Sequence, residues 1–254
     1  MGFTLLSDET LDDLQLKGLF IIQKKNTFRF GTDAVLLSSF VASHMRYKKK
    51  TSIVDMGTGT GIIPILLSAK TEADQIVGLE IQKSIADMAK RSVEGNDLEN
   101  RITIINGDIR KAKSILGPVS NDIVVSNPPY TKVNSGFINA DDGKTVSRHE
   151  VCCTLMDLLQ SSFSLLKPQG EFFMVHRPER LADVIDSMRR VKIEPKILRM
   201  VSPKVGKAPM LILVKGIKNA NPGLKILPEL ILYHEKGDYT EEARLMYSMG
   251  LESE

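Results

Sequence analysis

Residues 127–130 read Asn-Pro-Pro-Tyr and come after residues 122–125, Asp-Ile-Val-Val, for which we predict a short buried strand. Two prolines remove two backbone donors, so the chain cannot continue a ladder or a helix. The Asn127 amide oxygen and the Pro128 carbonyl can each accept a hydrogen from a planar NH₂ group, while Tyr130 stacks on its ring. Such bonds would favour a nitrogen whose lone pair is free to attack. Alone, the tetrapeptide is equally typical of a simple turn. The predicted catalytic residues are Asn127, Pro128, Pro129 and Tyr130.

A glycine-rich loop lies earlier in the chain, where the first core strand is expected to turn into its helix. Residues 55–61 read Asp-Met-Gly-Thr-Gly-Thr-Gly. Glycines at alternate positions permit positive φ and let the backbone pass close to a ligand. The spacing differs from the dinucleotide-binding G-x-G-x-x-G, and the Asp55 charge would oppose a pyrophosphate but pair with an ammonium group.

Two further acidic residues lie at the ends of the next predicted strands. Glu80 is positioned for two ribose hydroxyls, and Asp108 for the amino group of an adenine. Taken singly, each carboxylate is more typical of a helix cap or a surface charge. As an ordered set with Asp55, they predict a pocket for an amino-acid group, a ribose and an adenine, all of which S-adenosylmethionine carries.

The elements that must position these residues follow a regular pattern. From residue 52, short apolar runs alternate with helical stretches, which predicts right-handed crossovers and a doubly wound α/β fold. We expect a mostly parallel, seven-stranded sheet. The loop 202–209 is too short for a crossover helix, so the last two strands should pair antiparallel and mix the sheet at one edge.

The remaining segments are predicted to be appendages. Before the core we expect a small β-hairpin, from residues 19–23 and 27–30, and a helix over 34–42 capped by Thr32 or Asp33. A short helix is expected at 241–248. The predicted domain limits are 1–50 for an N-terminal extension packing on the core, 51–218 for the catalytic domain and 219–254 for a partly flexible tail.

Composition excludes several classes of protein. With 254 residues, 42% of them hydrophobic, the chain should form one large globular domain with small additions. A net charge of +3 permits an anionic partner. The cysteines, Cys152 and Cys153, are adjacent, and no run approaches a membrane span, so we expect a cytoplasmic protein without a metal.

The motifs resemble those of the class I S-adenosylmethionine-dependent methyltransferases, with a Rossmann-like fold, over about residues 52–214. Asn-Pro-Pro-Tyr resembles the fourth motif of enzymes that act on exocyclic amino nitrogens. Residues 28–37, Phe-Arg-Phe-Gly-Thr-Asp-Ala-Val-Leu-Leu, and 147–150, Ser-Arg-His-Glu, are similar to the bacterial family that methylates adenine N6 beside the anticodon of a valine tRNA.

This resemblance implies a tRNA substrate, with residues 30–33 covering the methionine end of the cofactor. We expect no obligate protein partner. Guanine N2 in ribosomal RNA and protein glutamine remain alternative acceptors, and a cofactor-binding RNA-interaction protein is the non-enzymatic alternative.

Residues 131–145 are polar enough for a mobile lid. The predicted cofactor-binding residues are Thr32, Asp33, Asp55, Gly57, Gly59, Gly61, Glu80, Ile81, Asp108, Ile109 and Asn127. The predicted substrate-binding residues are Tyr130, Lys132, Arg148, Lys204 and Lys207.

Overall fold

A computed structural model of the chain describes residues 2–25, 31–46, 49–128 and 153–248. Its strands are β1 (Glu9–Asp13), β2 (Phe20–Lys24), β3 (Ser52–Met56), β4 (Gln75–Glu80), β5 (Ile102–Asn106), β6 (Asn121–Ser126), β7 (Leu166–His176), β8 (Ile193–Ser202), β9 (Leu211–Lys218), β10 (Lys225–Ile226) and β11 (Leu230–Ile231). Its helices are α1 (Thr32–His44), α2 (Ile62–Lys70), α3 (Lys83–Gly95), α4 (Ala112–Leu116), α5 (Leu155–Leu165), α6 (Leu181–Arg190) and α7 (Glu241–Ser248). None of the helices in these ranges combines the length and the apolarity that a membrane crossing requires.

One large sheet forms the centre of the fold, with the strand order β10-β8-β9-β7-β6-β3-β4-β5 and β11 added beside β8. Strands β3 to β7 run parallel to one another. Strand β9 runs antiparallel to both β7 and β8. The predicted seven-stranded sheet, mostly parallel and mixed at one edge, is therefore confirmed as β3 to β9. The two-residue strands β10 and β11, absent from the prediction, extend it.

The strand order reverses between β3 and β6. From β3 the chain builds outward through β4 to β5, then returns to place β6 on the other side of β3. In open α/β sheets, ligands bind beyond the carboxyl ends of the strands at such a switch point. The residues that follow β3 and β6 therefore occupy the expected ligand-binding position.

Apolar side chains pack on both faces of the sheet. Helices α1, α2, α3 and α7 cover one face, where Phe40 and Ile65 are fully buried. Helices α4, α5 and α6 cover the other, where Leu159 and Val184 are fully buried. Because both faces are covered, the central strands read as nearly continuous apolar runs.

The N-terminal hairpin has a strand that the sequence pattern did not indicate. Strand β2, close to the predicted strand 19–23, pairs antiparallel with Glu9–Asp13, and residues 27–30 lie outside the described part of the chain. The sequence of β1 has little apolar signal because its buried residue is Glu9, which the Arg91 guanidinium binds through two hydrogen bonds of 2.7 Å. Because an ion pair and not an apolar side chain anchors β1, its sequence lacks the hydrophobic alternation that would predict a strand.

Helix α1 begins earlier than predicted. Gly31 occupies the N-cap position, so Thr32 and Asp33 already belong to the first helical turn, and the prediction that one of them caps the helix was wrong. The Asp33 carboxylate instead accepts a bond from the Ala34 N–H at 2.9 Å. An acidic side chain in the first turn also interacts favourably with the helix dipole.

The direction of α1 brings its first turn to the edge where ligands are expected. The Phe40 ring meets the Phe173 ring edge-on at 5.9 Å. Beyond the helix C-terminus, Arg46 donates to Glu171, which lies earlier in β7, at 2.7 Å. Helix α1 therefore runs antiparallel to β7, and its N-terminus lies toward the carboxyl ends of the parallel strands.

Residues 219–248 pack against the rest of the protein. Strands β10 and β11 pair with β8, and α7 packs on α1 through the buried Ala243 and Met246. The ammonium group of Lys70 donates to the Met246 carbonyl at 2.8 Å. The predicted helix at 241–248 is confirmed as α7. The domain limits 1–50, 51–218 and 219–254 stay a prediction.

Candidate active site

A buried hydrogen bond joins the ends of β3 and β6. Met56 and Ser126 are the last residues of these two paired strands. The Ser126 hydroxyl donates to the Met56 carbonyl oxygen at 2.8 Å. The next residues, Gly57 and Asn127, therefore leave the sheet side by side. The structure thus brings together the glycine loop and the start of the predicted catalytic corner.

All three loop glycines have positive φ, at +80° for Gly57, +56° for Gly59 and +85° for Gly61. A Cβ atom added at Gly57 or Gly59 would meet no described atom within 4 Å, whereas at Gly61 it would lie 3.2 Å from the Ala89 Cβ. Backbone conformation thus explains the first two glycines, and packing on α3 adds to the reason for the third. Open space beside Gly57 and Gly59 suits a ligand lying against the loop.

A fourth glycine, which the sequence analysis did not identify, supports this loop from below. Gly78 lies within β4, and a Cβ atom there would fall 2.8 Å from the Thr58 hydroxyl oxygen, 2.9 Å from its methyl carbon and 2.8 Å from the Ile104 Cδ1. The absent side chain makes room for Thr58 against the sheet. The sequence does contain a signal that could have identified Gly78, because a single glycine inside an apolar strand often marks a close approach by a ligand or another segment of the chain.

Asp55 is completely buried under the loop. Among the described residues, neither carboxylate oxygen has a hydrogen-bond partner, and the nearby Thr58 hydroxyl also lacks one. Burial raises the pKa of Asp55 to about 7; the proximity of the Thr58 hydroxyl lowers it and the Glu80 charge raises it further. A buried polar group without a partner costs about 1–3 kcal/mol. Asp55 and Thr58 therefore suit a ligand that brings a hydrogen-bond donor.

Glu80 binds the glycine loop directly. One carboxylate oxygen accepts from the Gly59 N–H at 3.0 Å, and the other from the Gln82 N–H at 2.8 Å. The residue is buried, with 6% of its surface exposed. Nearby, the Asn106 amide donates to the Glu80 carbonyl at 2.8 Å and ties the end of β5 to that of β4. The acid therefore positions the glycine loop.

Asp108 follows β5 and is held by Arg110. Its carboxylate accepts from the Arg110 N–H at 2.9 Å and from the Arg110 guanidinium at 2.9 Å. These bonds to Arg110 keep the pKa of Asp108 below its usual range, so the group is ionised. It also caps the 3-10 turn Ile109–Lys111, which is the role that a single acid at a strand end most often has. Ile109 is half-buried, and Ile81, after Glu80, is exposed.

The predicted catalytic corner is described only at its start. Asn127 and Pro128 are half-buried beyond the end of β6. The other predicted residues of the corner and its flank, together with the proposed lid at 131–145, lie outside the described residues. These residues are Pro129, Tyr130, Lys132 and Arg148.

Other predicted residues lie at the same edge of the sheet. Thr32 and Asp33 are half-buried in the first turn of α1. Lys204 and Lys207 lie in the turn between β8 and β9, where Lys207 is exposed and the Lys204 ammonium donates to the Glu235 carbonyl at 2.9 Å. The two lysines lie farther along this edge from Asn127, because β7 and β9 separate β8 from β6.

His176 ends β7, the strand beside β6. Its Nδ1 lies 2.8 Å from the Arg177 N–H, and burial lowers the pKa of the imidazole to about 4, so the ring is neutral at pH 7. Among the described residues, no group of three or more His, Cys, Asp or Glu side chains is arranged to hold a metal ion.

An open glycine loop beside an asparagine corner, at the switch point of this sheet, defines a Rossmann-like methyltransferase. The chain belongs to the methyltransferase small domain family, whose sequence profile matches residues 30–191. This finding confirms the class of enzyme that the motifs predicted.

Similar proteins agree with this assignment. The tRNA1(Val) (adenine(37)-N6)-methyltransferase of Porphyromonas gingivalis is 31% identical over 175 residues, which cover 68% of each chain. The enzyme of the same name from Bacteroides thetaiotaomicron is 28% identical over 244 residues, 92% of this chain and 96% of that relative. The crystal structure of a predicted O-methyltransferase from Agrobacterium tumefaciens has the same fold, with a TM-score of 0.69 at 19% identity, covering 86% of this chain and 96% of the other.

Proposed function

We propose that the protein transfers a methyl group from S-adenosylmethionine to the N6 amino group of an adenine in tRNA, in the cytoplasm, beside the anticodon of a valine tRNA. The observation that carries the proposal is the adjacency of the loop and the corner, held by the bond from Ser126 to Met56. The names of the two relatives described above support the choice of adenine and of tRNA.

The described residues fit this cofactor. Asp55 offers two buried oxygens without partners to an ammonium group, and the space beside Gly57 and Gly59 admits a ligand. Glu80 would accept from ribose hydroxyls, because a carboxylate has about four acceptor positions. We propose that Asp108 faces the adenine end, with Ile81 and Ile109 beside it. When bound, S-adenosylmethionine would supply a methyl group that a nitrogen lone pair can attack, and its sulfonium sulfur would keep the electron pair of the broken S–CH₃ bond and leave as a neutral thioether.

Substrate activation would fall to the corner after β6. The Asn127 amide oxygen and the Pro128 carbonyl would each accept one N6 hydrogen and orient the nitrogen lone pair toward the methyl carbon. Positive charge develops on the nitrogen as the new N–C bond forms, and the two acceptors stabilise it. The surplus proton then leaves for solvent. An adenine in RNA must first be unstacked from its neighbours to reach this position.

The test is to supply the protein with methyl-labelled cofactor and separate pools of tRNA, ribosomal RNA, DNA and protein, and to identify the labelled product. We expect N6-methyladenosine in tRNA. Label in guanosine or in glutamine would show that adenine is not the acceptor, since the same corner suits both of these amino groups. Cofactor binding without label in any pool would favour a non-catalytic RNA-interaction protein and overturn the enzymatic proposal.

A further inference from the structure

Two turns meet beyond the end of β8. The first turn, residues 203–210, joins β8 to β9; since β9 runs antiparallel to β7, it lies beside the carboxyl end of β7. The second turn, residues 232–240, follows β11, which runs parallel to β8 and leaves the sheet in the same direction. We call these two turns, together with Arg177, the paired-turn surface. It lies at the same edge of the sheet as Asn127.

Hydrogen bonds hold the second turn against the first. The Tyr233 N–H donates to the Pro203 carbonyl at 2.9 Å, and the Lys204 ammonium donates to the Glu235 carbonyl at 2.9 Å. The second turn is closed by its own bonds and by the rings of Tyr233 and Tyr239, which stack 4.9 Å apart. The second turn, residues 232–240, therefore supports the conformation of the first turn.

Cations predominate on this surface. The first turn contains Lys204 and Lys207 and no acidic residue, and Val205 between them is 73% exposed. The exposed Arg177 donates to the Met210 carbonyl at 3.3 Å, at the base of the same turn. The second turn adds the exposed Lys236, partly offset by two acids. The four cations are Arg177, Lys204, Lys207 and Lys236, against Glu235 and Asp238.

We propose that the paired-turn surface binds the phosphate backbone of the substrate RNA close to the nucleotide that enters the active site. Lys204 and Lys207 make the phosphate contacts, and the second turn holds them in position. Strands β9 and β8 are the second and third from β6, which puts the surface roughly 10–15 Å along the sheet from the catalytic corner. This proposal depends on the proposed function, because it takes RNA as the substrate.

The first test replaces both lysines, as K204A/K207A, and compares K49A/K50A. The control pair is exposed, removes the same charge and precedes β3, at the opposite edge of the sheet. For K204A/K207A we expect the slope of log affinity for tRNA against log salt to become shallower by about 2. The KM for tRNA should rise while kcat and cofactor affinity stay near those of the wild type. The control should retain the wild-type slope.

A second test addresses the supporting turn without changing charge. Gly237 has φ of +101° and Gly117, on a distant loop, has φ of +82°, and an added Cβ would meet no described atom within 4 Å at either position. Alanine is strained at both positions, because each has a positive φ. We expect G237A to raise the KM for tRNA and G117A to leave it unchanged.

The outcomes separate the two proposals. If tRNA adenine is labelled but K204A/K207A keeps the wild-type salt slope and KM, the surface proposal is wrong and the proposed function stands. If label goes to another acceptor, the proposed function fails, and the tRNA salt slope still tests RNA binding. Weaker binding of K204A/K207A to a protein acceptor, with tRNA binding unchanged, would overturn the assignment of RNA as partner.

Discussion

The hydroxyl of Ser126 donates a 2.8 Å hydrogen bond to the carbonyl oxygen of Met56 inside the sheet, immediately before Asn127 and Gly57, respectively. It spans the switch point, so the glycine loop and the asparagine corner share one anchor. Because both residues are buried, the bond contributes to folding as well as to the geometry of the site.

Replacing Ser126 with alanine should therefore reduce both stability and activity. Loss of a buried donor leaves the Met56 carbonyl poorly satisfied, at a cost of about 1–3 kcal/mol. We expect a lower urea midpoint and a lower kcat/KM for methyl transfer. Ser114→Ala, at an exposed serine of α4, should change the unfolding free energy by less than about 0.5 kcal/mol. A urea midpoint for S126A equal to that of the wild type would show that the bond contributes nothing to the free energy of unfolding.

Replacing Asn127 should affect transfer more than cofactor binding. For Asn127→Ala we expect kcat to fall about 10²–10³-fold, the loss typical of removing one transition-state hydrogen bond. Asn127→Asp should retain more activity than Asn127→Ala, since a carboxylate oxygen can also accept. Single-turnover kinetics and cofactor titration separate the two effects. Asn221→Ala, at an exposed asparagine, is the control. Full activity of N127A would exclude the proposed corner.

The space left by Gly78 can be tested by a double-mutant cycle. Gly78→Ala should destabilise the protein by about 1–3 kcal/mol, because the new methyl group overlaps Thr58 and Ile104, and should weaken cofactor binding by displacing the loop. Thr58→Ala removes the two overlapping Thr58 atoms and leaves the 2.8 Å contact with Ile104 Cδ1, so G78A/T58A should recover part of the stability lost in G78A. Additive effects in urea unfolding would show that the two residues are not coupled.

Asp55 should make stability and cofactor binding depend on pH. Burial raises its pKa in the folded protein to about 7, from an ordinary value of 3.8. Between about pH 4 and 7 the folded state therefore holds a proton that the unfolded state has released, so this group's contribution to stability falls as pH rises. Relative to Asp55→Asn, we expect the wild type to lose roughly 2 kcal/mol between pH 5 and 7.

Cofactor affinity should change in the opposite direction. A cationic amino group favours the ionised carboxylate, so wild-type affinity should rise from pH 5 to 8, while D55N should bind weakly with a flatter profile. Calorimetric titration over this range measures both curves, and Asp74→Asn, an exposed acid that precedes β4, is the matched control. A wild-type profile as flat as that of D55N would contradict the proposed pairing.

Local patterns in the sequence determined much of the fold and the order of the site residues. The alternation of apolar runs with helical stretches specifies the parallel core, because each run must be buried on both faces. Gly57, Gly59 and the acids at the strand ends were recognisable since turn conformation and ligand chemistry restrict residue type at single positions.

Only the tertiary structure decided how distant segments support one another. The bond from Ser126 to Met56, the space left by Gly78 for Thr58, and the strand Glu9–Asp13 held by Arg91 all join residues far apart in the chain. The position of Asp108 at the end of a strand could be predicted from the sequence. Its ion pair with Arg110 could not, because that pair depends on side-chain geometry. Packing and register set these contacts, and neither leaves a periodic trace in the sequence.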